Sequence, residues 1–80
     1  PEIQLTTLLL DAACSWNGQS LQEIHLRAEY GVSLVALRRQ GKMLLDLSGE
    51  TILQAGDELF LIGPPEKMRQ VAQLLRIEVV

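Results

Sequence analysis

The sequence predicts a small α+β domain with the element order β-α-β-β-β-α-β. Runs of aliphatic and β-branched residues typical of strands alternate with two segments whose apolar residues recur at helical spacing. The chain has 80 residues, of which 48% are hydrophobic, and this length suits one domain rather than two. We therefore expect residues 1–80 to form a single unit with a mainly antiparallel or mixed sheet and two helices.

The first predicted strand, "IQLTTLLL" (3–10), leads through a loop at 11–19 into the first predicted helix, "SLQEIHLRAEYG" (20–31). Ser20 followed by Glu23 has the spacing of a reciprocal capping box. Gly31 suits the left-handed position after the last turn. Helical spacing predicts that three residues share the apolar face: Leu21, Ile24 and Ala28.

Two further strands, at 32–39 and 42–47, are predicted to form an antiparallel hairpin around Gln40-Gly41. Simple alternation places Val32, Leu34 and Ala36 on one face and Val35 and Leu37 on the other. Apolar residues on both faces predict a central strand that is covered on both sides.

The last third of the chain predicts a strand, a helix and a short final strand. A tight turn at 55–57 precedes the strand "ELFLIG". We interpret Asp57 as a turn residue whose side chain accepts hydrogen bonds from nearby backbone N–H groups. The helix at 65–75 begins with a tolerated proline. Its predicted apolar stripe is Met68, Val71, Ala72 and Leu75. A short edge strand is expected at 76–80.

The amino-acid composition argues against several classes of protein. Seven basic against ten acidic residues give a net charge of −3, which disfavours a general nucleic-acid binder. A single cysteine, Cys14, excludes an internal disulfide and a cysteine-based metal cluster; we interpret it as a small apolar filler. No run approaches the roughly 20 apolar residues of a membrane span. Because the chain begins at Pro1 rather than at methionine, we expect a fragment of a longer protein.

No combination of residues predicts catalysis, so we expect no enzyme, no metal and no tightly bound cofactor. His25 is the only histidine and has no predicted metal-ligand partners. No serine lies in a G-x-S-x-G context, and no G-x-G-x-x-G or Walker sequence occurs. Trp16 has no clear apolar periodicity, and is either packed at the domain edge or part of a contact.

The arginines are the candidates for binding an anion. Arg38 and Arg39 are adjacent on a predicted strand and should reach opposite faces of the sheet, while Arg27 could approach the same end of the sheet from the helix. The planar guanidinium suits phosphate oxygens. The alternative, which residue chemistry alone favours, is a set of surface charges paired with Glu23, Glu29 or Asp46.

Three segments together resemble one family: two signatures and the helix at 65–75. "GQSLQEIHLRAEYGVSLVALRRQGK" is similar to its first signature and "ILQAGDELFLIG" to its second. The family is the C-terminal subdomain of the regulators of potassium conductance (RCK_C), also called the TrkA-C domain. The resemblance covers about residues 3 to 76, ends with the helix at 65–75, and implies a TrkA-C-like fold.

The resemblance implies a cytosolic regulatory domain of a potassium channel, a potassium uptake system or a cation/proton antiporter. Such domains form homodimers, and in some members the dimer cleft binds cyclic di-AMP. They act on a membrane transporter or channel subunit, in cis or in trans, from the cytoplasmic side of the membrane. The resemblance implies neither nucleic-acid binding nor membrane insertion by this fragment. The Rossmann-like lobe that usually precedes them is absent from this sequence.

By the same resemblance, the ligand-binding residues would be Arg27, Val32, Ser33 and Leu34. Members that bind the ligand often have asparagine at the Ser33 position and a proline in the loop formed here by 47–49; neither is present. Arg39 matches a position that is structural in the family. The alternative function is a ligand-independent oligomerisation domain of a multidomain transporter.

Overall fold

A four-stranded antiparallel sheet carries a layer of helices and loops on one face in the computed structural model, which describes residues 2–75. The strands are β1 Gln4–Leu9, β2 Ser33–Arg39, β3 Lys42–Leu44 and β4 Glu58–Gly63, in the spatial order β1-β4-β2-β3. The helical elements are α1 Leu21–Ile24, a π-helical segment Leu26–Tyr30, and α2 Pro65–Leu75. The predicted fold class is confirmed; the predicted strand at 76–80 lies outside the described residues.

The hydrophobic core lies between the inner face of the sheet and this helical layer. Leu8, Leu37, Leu59 and Leu61 of three adjacent strands are at most 1% exposed. The predicted stripe of α2 is confirmed, since all four of its residues are buried. Trp16 also lies in the core, where its ring meets Tyr30 edge-on with centroids 5.4 Å apart. The interpretation of Trp16 as an edge or contact residue was therefore wrong.

A β-bulge in β2 overturns the predicted alternation of this strand. Leu34 pairs with Leu61, but Ala36 pairs with Phe60, so that Val35 is an extra residue between them. One extra residue reverses which side chains face the core. As a result Leu34 and Leu37 share the inner face, whereas simple alternation had separated them.

The outer face of the sheet is only partly covered within residues 2–75. The register places Leu5 opposite Ile62 and Leu9 opposite Glu58 on this face. The two leucines are 61% and 60% exposed. The position of β2 inside the sheet is as predicted. On its outer side Ala36 is 5% exposed but Val35 is 45% exposed, so the prediction that both faces of β2 are covered holds only in part.

The predicted first helix is interrupted at His25. Its capping box is confirmed, because the backbone N–H of Glu23 donates to Ser20 and that of Ser20 donates to Glu23. His25 then adopts a left-handed conformation with φ 55°, and the chain continues as the π-helical segment. Ile24 and Leu26, rather than Ala28, are buried.

The interruption has a packing cause. Residues two apart lie about 200° apart around a regular α-helix, so an unbroken helix could not direct both Ile24 and Leu26 into the core. The left-handed residue between them reorients the backbone and lets both side chains be buried. Burying an aliphatic side chain contributes about 1.5–3 kcal/mol, which offsets the roughly 1–2 kcal/mol cost of left-handed backbone.

A buried ion pair fixes one end of the sheet, which we call the closed end. Arg39, the last residue of β2, donates from Nε and Nη2 to the two carboxylate oxygens of Asp57, at 2.9 and 2.7 Å. Its Nη2 also donates to the Ile52 carbonyl at 2.8 Å. The side chain of Asp57 is 1% exposed and accepts a further hydrogen bond from the backbone N–H of Gln54. The turn role predicted for Asp57 is confirmed, with Arg39 as an additional partner.

This ion pair keeps Asp57 ionised. Burial alone raises the pKa of the carboxyl group, but the hydrogen bonds from Arg39 and Gln54, together with the charge of Arg39, outweigh it and hold the pKa below its ordinary value. A depressed pKa in the folded state stabilises the fold above the unfolded pKa of about 4, and this contribution is lost as the pH falls through the folded pKa.

The opposite end of the sheet, which we call the open end, depends on a close backbone approach. A Cβ atom at Gly63 would lie 3.0 Å from Val32 Cγ1 and 3.2 Å from the Gly31 carbonyl oxygen. Both neighbours are constrained, because Val32 is 1% exposed and Gly31 contributes a backbone atom. The last residue of β4 must therefore be glycine for β4 to pack against the chain entering β2.

Replacing Arg39 by glutamine should lower the free energy of unfolding by about 3 kcal/mol, because it leaves a buried carboxylate without its counter-charge. Arg38→Gln is the matched control: Arg38 pairs with Glu58 at 3.2 Å, but their side chains are 48% and 35% exposed, so this loss should stay below about 1 kcal/mol. Urea denaturation of the two variants measures both values. Equal losses would contradict the structural role given to Arg39.

Gly63→Ala should lower the free energy of unfolding by about 1–3 kcal/mol through overpacking against Val32 and the Gly31 carbonyl. Gly49→Ala is the control, since its Cβ would meet only the side chain of Gln22, the nearest atom at 3.3 Å, and Gln22 is exposed and can move. Thermal and urea denaturation compare the two variants. The packing argument would be refuted by a Gly63→Ala protein as stable as Gly49→Ala.

Candidate functional site

A cleft of about 250 Å³ lies at the open end of the sheet. Four parts of the fold surround it: the chain before β1, the π-helical segment with its end, the start of β2, and the end of β4 with the residue that follows. We call it the open-end cleft; its lining residues are Ile3, Arg27, Gly31, Ser33, Ile62, Gly63 and Pro64.

The structure brings two of the four predicted ligand residues together in this cleft. Arg27 and Ser33 both line it, although they come from different elements. Val32 lies between them in sequence, but its side chain is buried in the core. Leu34 packs against the same core from the inner face of the sheet. The side chains of Val32 and Leu34 therefore do not line the cleft.

The π-helical segment positions Arg27 at the cleft. The segment ends at Gly31, which adopts φ 71° and donates its backbone N–H to the carbonyls of Arg27 and Leu26. The N–H of Val32 also donates to the Leu26 carbonyl, at 3.4 Å. Leu26 is fixed in the core, so these bonds tie the backbone of Arg27 to a rigid support while its side chain stays exposed.

The cleft has a cationic character. Arg27 is its charged lining residue, and none of the other six is acidic. Ser33 adds a hydroxyl group that can donate a hydrogen bond. Neither ion pair found within residues 2–75 involves Arg27. A guanidinium without a carboxylate partner, next to a hydroxyl in a concave site, can hold an anion such as phosphate.

The other two candidate arginines have structural partners at the closed end. Arg38 pairs with Glu58 and lies 5.6 Å from the centre of the Phe60 ring, whereas Arg39 pairs with Asp57. The predicted separation of Arg38 and Arg39 onto opposite faces is confirmed. The expectation that Arg27 approaches the same end of the sheet was wrong, because Arg27 lies at the open end. The predicted acidic partners Glu23, Glu29 and Asp46 were wrong, because the register of β2 with β4 sets the pairing.

Sequence reasoning missed the rest of the lining. Gly63 and Pro64 follow β4, and Ile3 precedes β1, so only the sheet register brings them to Ser33. Gly31 was identified as a helix end but not as part of the site. The one available signal was the pair Gly63-Pro64, where a strand stops abruptly beside a new helix.

A second, larger cleft of about 410 Å³ lies beside the edge strand β3. Its lining is mostly aliphatic, and Leu45 and Met43 are 71% and 45% exposed. We call this surface the β3-edge patch; its residues are Met43, Leu44, Leu45, Asp46, Leu47 and Thr51. β3 is an edge strand of the sheet formed by residues 2–75, and an exposed apolar surface beside an edge strand is typical of a protein contact.

The described residues offer little for catalysis. Within residues 2–75, no three His, Cys, Asp or Glu side chains are grouped so that they could hold a metal ion. The thiol of Cys14 is buried, and burial raises its pKa, which disfavours the reactive thiolate. His25 is exposed and held at left-handed φ between two helical turns.

No helix in the part of the chain that the structure describes is both long enough and apolar enough to cross a membrane.

Several solved structures share this fold. The RCK C domain of the potassium transport protein KtrA in complex with c-di-AMP aligns with a TM-score of 0.78 at 25% identity, covering 90% of this chain and 82% of that one. The GsuK channel bound to NAD aligns with a TM-score of 0.78 at 29% identity, covering 92% of this chain and 14% of the channel. The RCK_C domain dimer of S. agalactiae BusR, at 17% identity and a TM-score of 0.81, shows the same fold.

Curated relatives are transporters of unassigned substrate. An uncharacterized transporter of Bacteroides thetaiotaomicron is 36% identical over 59 residues, which is 74% of this chain. Uncharacterized transporter RB4869 of Rhodopirellula baltica is 33% identical over 55 residues, or 69% of the chain. The chain spans about a tenth of the length of these relatives.

The model of the TrkA-C domain matches residues 5–76. This range contains the open-end cleft, apart from Ile3, and the β3-edge patch. It agrees with the extent expected from the two sequence signatures, and the fold agrees with the RCK C domain of KtrA. The chain belongs to the TrkA-C domain family.

Proposed function

We propose that the chain is a dimerising regulatory domain of a potassium or other cation transport protein, and that it senses an anionic ligand in the open-end cleft. The observation that carries the proposal is the cleft itself. It combines an arginine that has no carboxylate partner within residues 2–75 with a serine hydroxyl, and its lining holds no acidic residue. A domain that only held subunits together would not need this arrangement.

Cyclic di-AMP is the ligand we propose. The RCK C domain of KtrA, which is aligned over most of both chains, is in complex with this nucleotide. NAD is a weaker candidate, because GsuK is bound to NAD in a structure where this fold covers only 14% of the channel chain. The cleft also lacks the glycine-rich loop that normally cradles the pyrophosphate of NAD.

A second copy of the chain is the partner we propose for the β3-edge patch. The patch is mostly apolar, largely exposed and adjacent to β3, the edge strand of the sheet that residues 2–75 form. A stable dimer buries about 800 Å² on each partner, and this chain exposes 5317 Å² in all. The BusR RCK_C domain, which has the same fold, is a dimer.

The proposed regulation acts on a membrane transporter or channel subunit, in cis or in trans, from its cytoplasmic side. The relatives are transporters about ten times longer than the matching segment, which favours a domain within a transport protein. A ligand shifts the transporter between states only if it binds one dimer arrangement more tightly than another. Antiporters, potassium channels and potassium uptake systems all remain candidates for the parent protein.

The alternative is a ligand-independent oligomerisation domain, which the β3-edge patch would support without any role for the cleft. We propose no binding of nucleic acid by this domain. BusR is in complex with promoter DNA in two of the matching structures, but this fold accounts for only 35% and 37% of those DNA-bound chains. The net charge of −3 also disfavours contact with phosphates along a duplex.

Arg27→Gln should weaken cyclic di-AMP binding at least about tenfold, since a charge-assisted contact is worth roughly 1.5–3 kcal/mol. Arg69→Gln on the exposed side of α2 is the matched control and should bind like the wild type, because Arg69 does not line the cleft. Isothermal titration calorimetry measures both. A wild-type chain that binds no cyclic di-AMP would refute this ligand, and one that binds no anionic nucleotide at all would leave only the oligomerisation domain.

Leu45→Glu should convert the dimer to a monomer at micromolar concentration, because the carboxylate would be buried in an apolar contact. Leu5→Glu, on the exposed outer face of the sheet, is the control and should remain dimeric. Sedimentation velocity distinguishes the two species. If Leu5→Glu dissociates the dimer and Leu45→Glu does not, the contact lies on the outer face instead.

A further inference from the structure

We infer that the outer face of the sheet is a docking surface for another domain of the same transport protein, and that the docked domain presents an uncharged, apolar surface to it. The inference goes beyond the proposed function, on which it rests in one respect: it takes the chain to be one domain of a longer transport protein. It assigns a role to a surface that neither the proposed ligand nor the proposed dimer contact explains.

The outer face is apolar where a solvated sheet face would be polar. An antiparallel sheet with one face in water normally alternates apolar residues on the inner face with polar residues on the outer face. Here the register directs Leu5 and Leu9 of β1 and Phe60 and Ile62 of β4 outward, and the bulged Val35 of β2 joins them. We call these five residues the outer-face patch. Its two leucines and its valine are 61%, 60% and 45% exposed, which marks a contact surface rather than a solvated one.

The charges on the outer face favour an uncharged partner. The register places Arg38 and Glu58 on this face, and their side chains form an ion pair at 3.2 Å. Arg38 also lies 5.6 Å from the centre of the Phe60 ring. A lipid surface or a nucleic acid binds through unpaired lysines and arginines, which the strands within residues 2–75 do not offer on this face. A partner that brought a charge to the outer-face patch would bury it without a counter-charge. The surface that fits is therefore an apolar protein surface.

The size of the face favours a domain of the same chain over a second copy. The face has four strands, and β1 and β4 have six residues each; with strands about 4.8 Å apart and about 3.3 Å per residue, its projected area is roughly 400 Å². Each partner in a stable complex buries about 800 Å², whereas domains of one chain meet over about 600–1,500 Å² in total. A linker raises the effective concentration, so a contact of this size suffices for a tethered domain where it would not hold a separate molecule. The curated relatives, about ten times longer than the matching segment, have room for such a domain.

Cysteine labelling of the isolated chain and of the full-length transport protein that carries it tests the inference. Leu9→Cys should react with a maleimide at least about tenfold more slowly in the full-length protein, which corresponds to a docked state favoured about ten to one. Gln70→Cys, on the exposed side of α2, is the matched control and should react at the same rate in both proteins. Leu5→Cys repeats the measurement near the other end of β1. Mass spectrometry of the labelled peptides separates each introduced thiol from Cys14, which is buried.

Slow labelling of both β1 thiols in the full-length protein alone, with an unchanged control, would support the docking surface. Equal rates in the two proteins would overturn it. Slow labelling already in the isolated chain would also overturn it, because a second copy or another part of the same 80-residue chain would then cover the face. None of these outcomes depends on a ligand, so calorimetry with cyclic di-AMP judges the proposed function separately.

Discussion

The ion pair between Arg39 and Asp57 connects the sheet, through the segment at 52–54, to the start of the first helix. Arg39 also holds the Ile52 carbonyl, and Asp57 holds the backbone N–H of Gln54. Between these two points Leu53 enters the core with no exposed surface. The segment at 51–53 then pairs with 18–21 through three backbone hydrogen bonds, around the bridge between Ser20 and Ile52. The start of α1, and through it the π-helical segment, is thus anchored from the closed end.

This anchoring gives the two ends of the sheet different roles. At the closed end both arginines are neutralised by carboxylates, one of them deeply buried. At the open end Arg27 lines a cleft that has no acidic group in its lining. Within residues 2–75, an anion that bound at the open end would therefore not need to break an ion pair of Arg27 first. The energetic cost of keeping Arg27 available is small, because its side chain stays exposed to water.

Local signals predicted the elements well. The capping residues Ser20 and Glu23, the glycine after the helix and the hairpin at Gln40-Gly41 all act within a few residues of the chain, and each has the predicted conformation. The family and its extent could also be identified from the two signatures, because their order and spacing are preserved. These features depend on short-range sequence patterns.

Long-range packing explains what could not be predicted. The bulge at Val35 changes which side chains of β2 point toward the core. It is visible only in the register between β2 and β4. The break at His25 allows both Ile24 and Leu26 to be buried in the core. Helical periodicity would place these two residues on different faces, so it could not predict this arrangement. The same register carries Ser33 to the open end beside Gly63. Two of the four proposed ligand residues therefore line the cleft with their side chains, and two do not.

The central claim is that an anionic nucleotide binds at the open end of the sheet while the closed end is purely structural. Backbone amide chemical shifts, recorded by NMR during titration with cyclic di-AMP, test it most directly. The account predicts the largest shifts at Gly31, Ser33 and Gly63, with little change at 52–57. Largest shifts at 52–57, or along the outer face of the sheet, would contradict it.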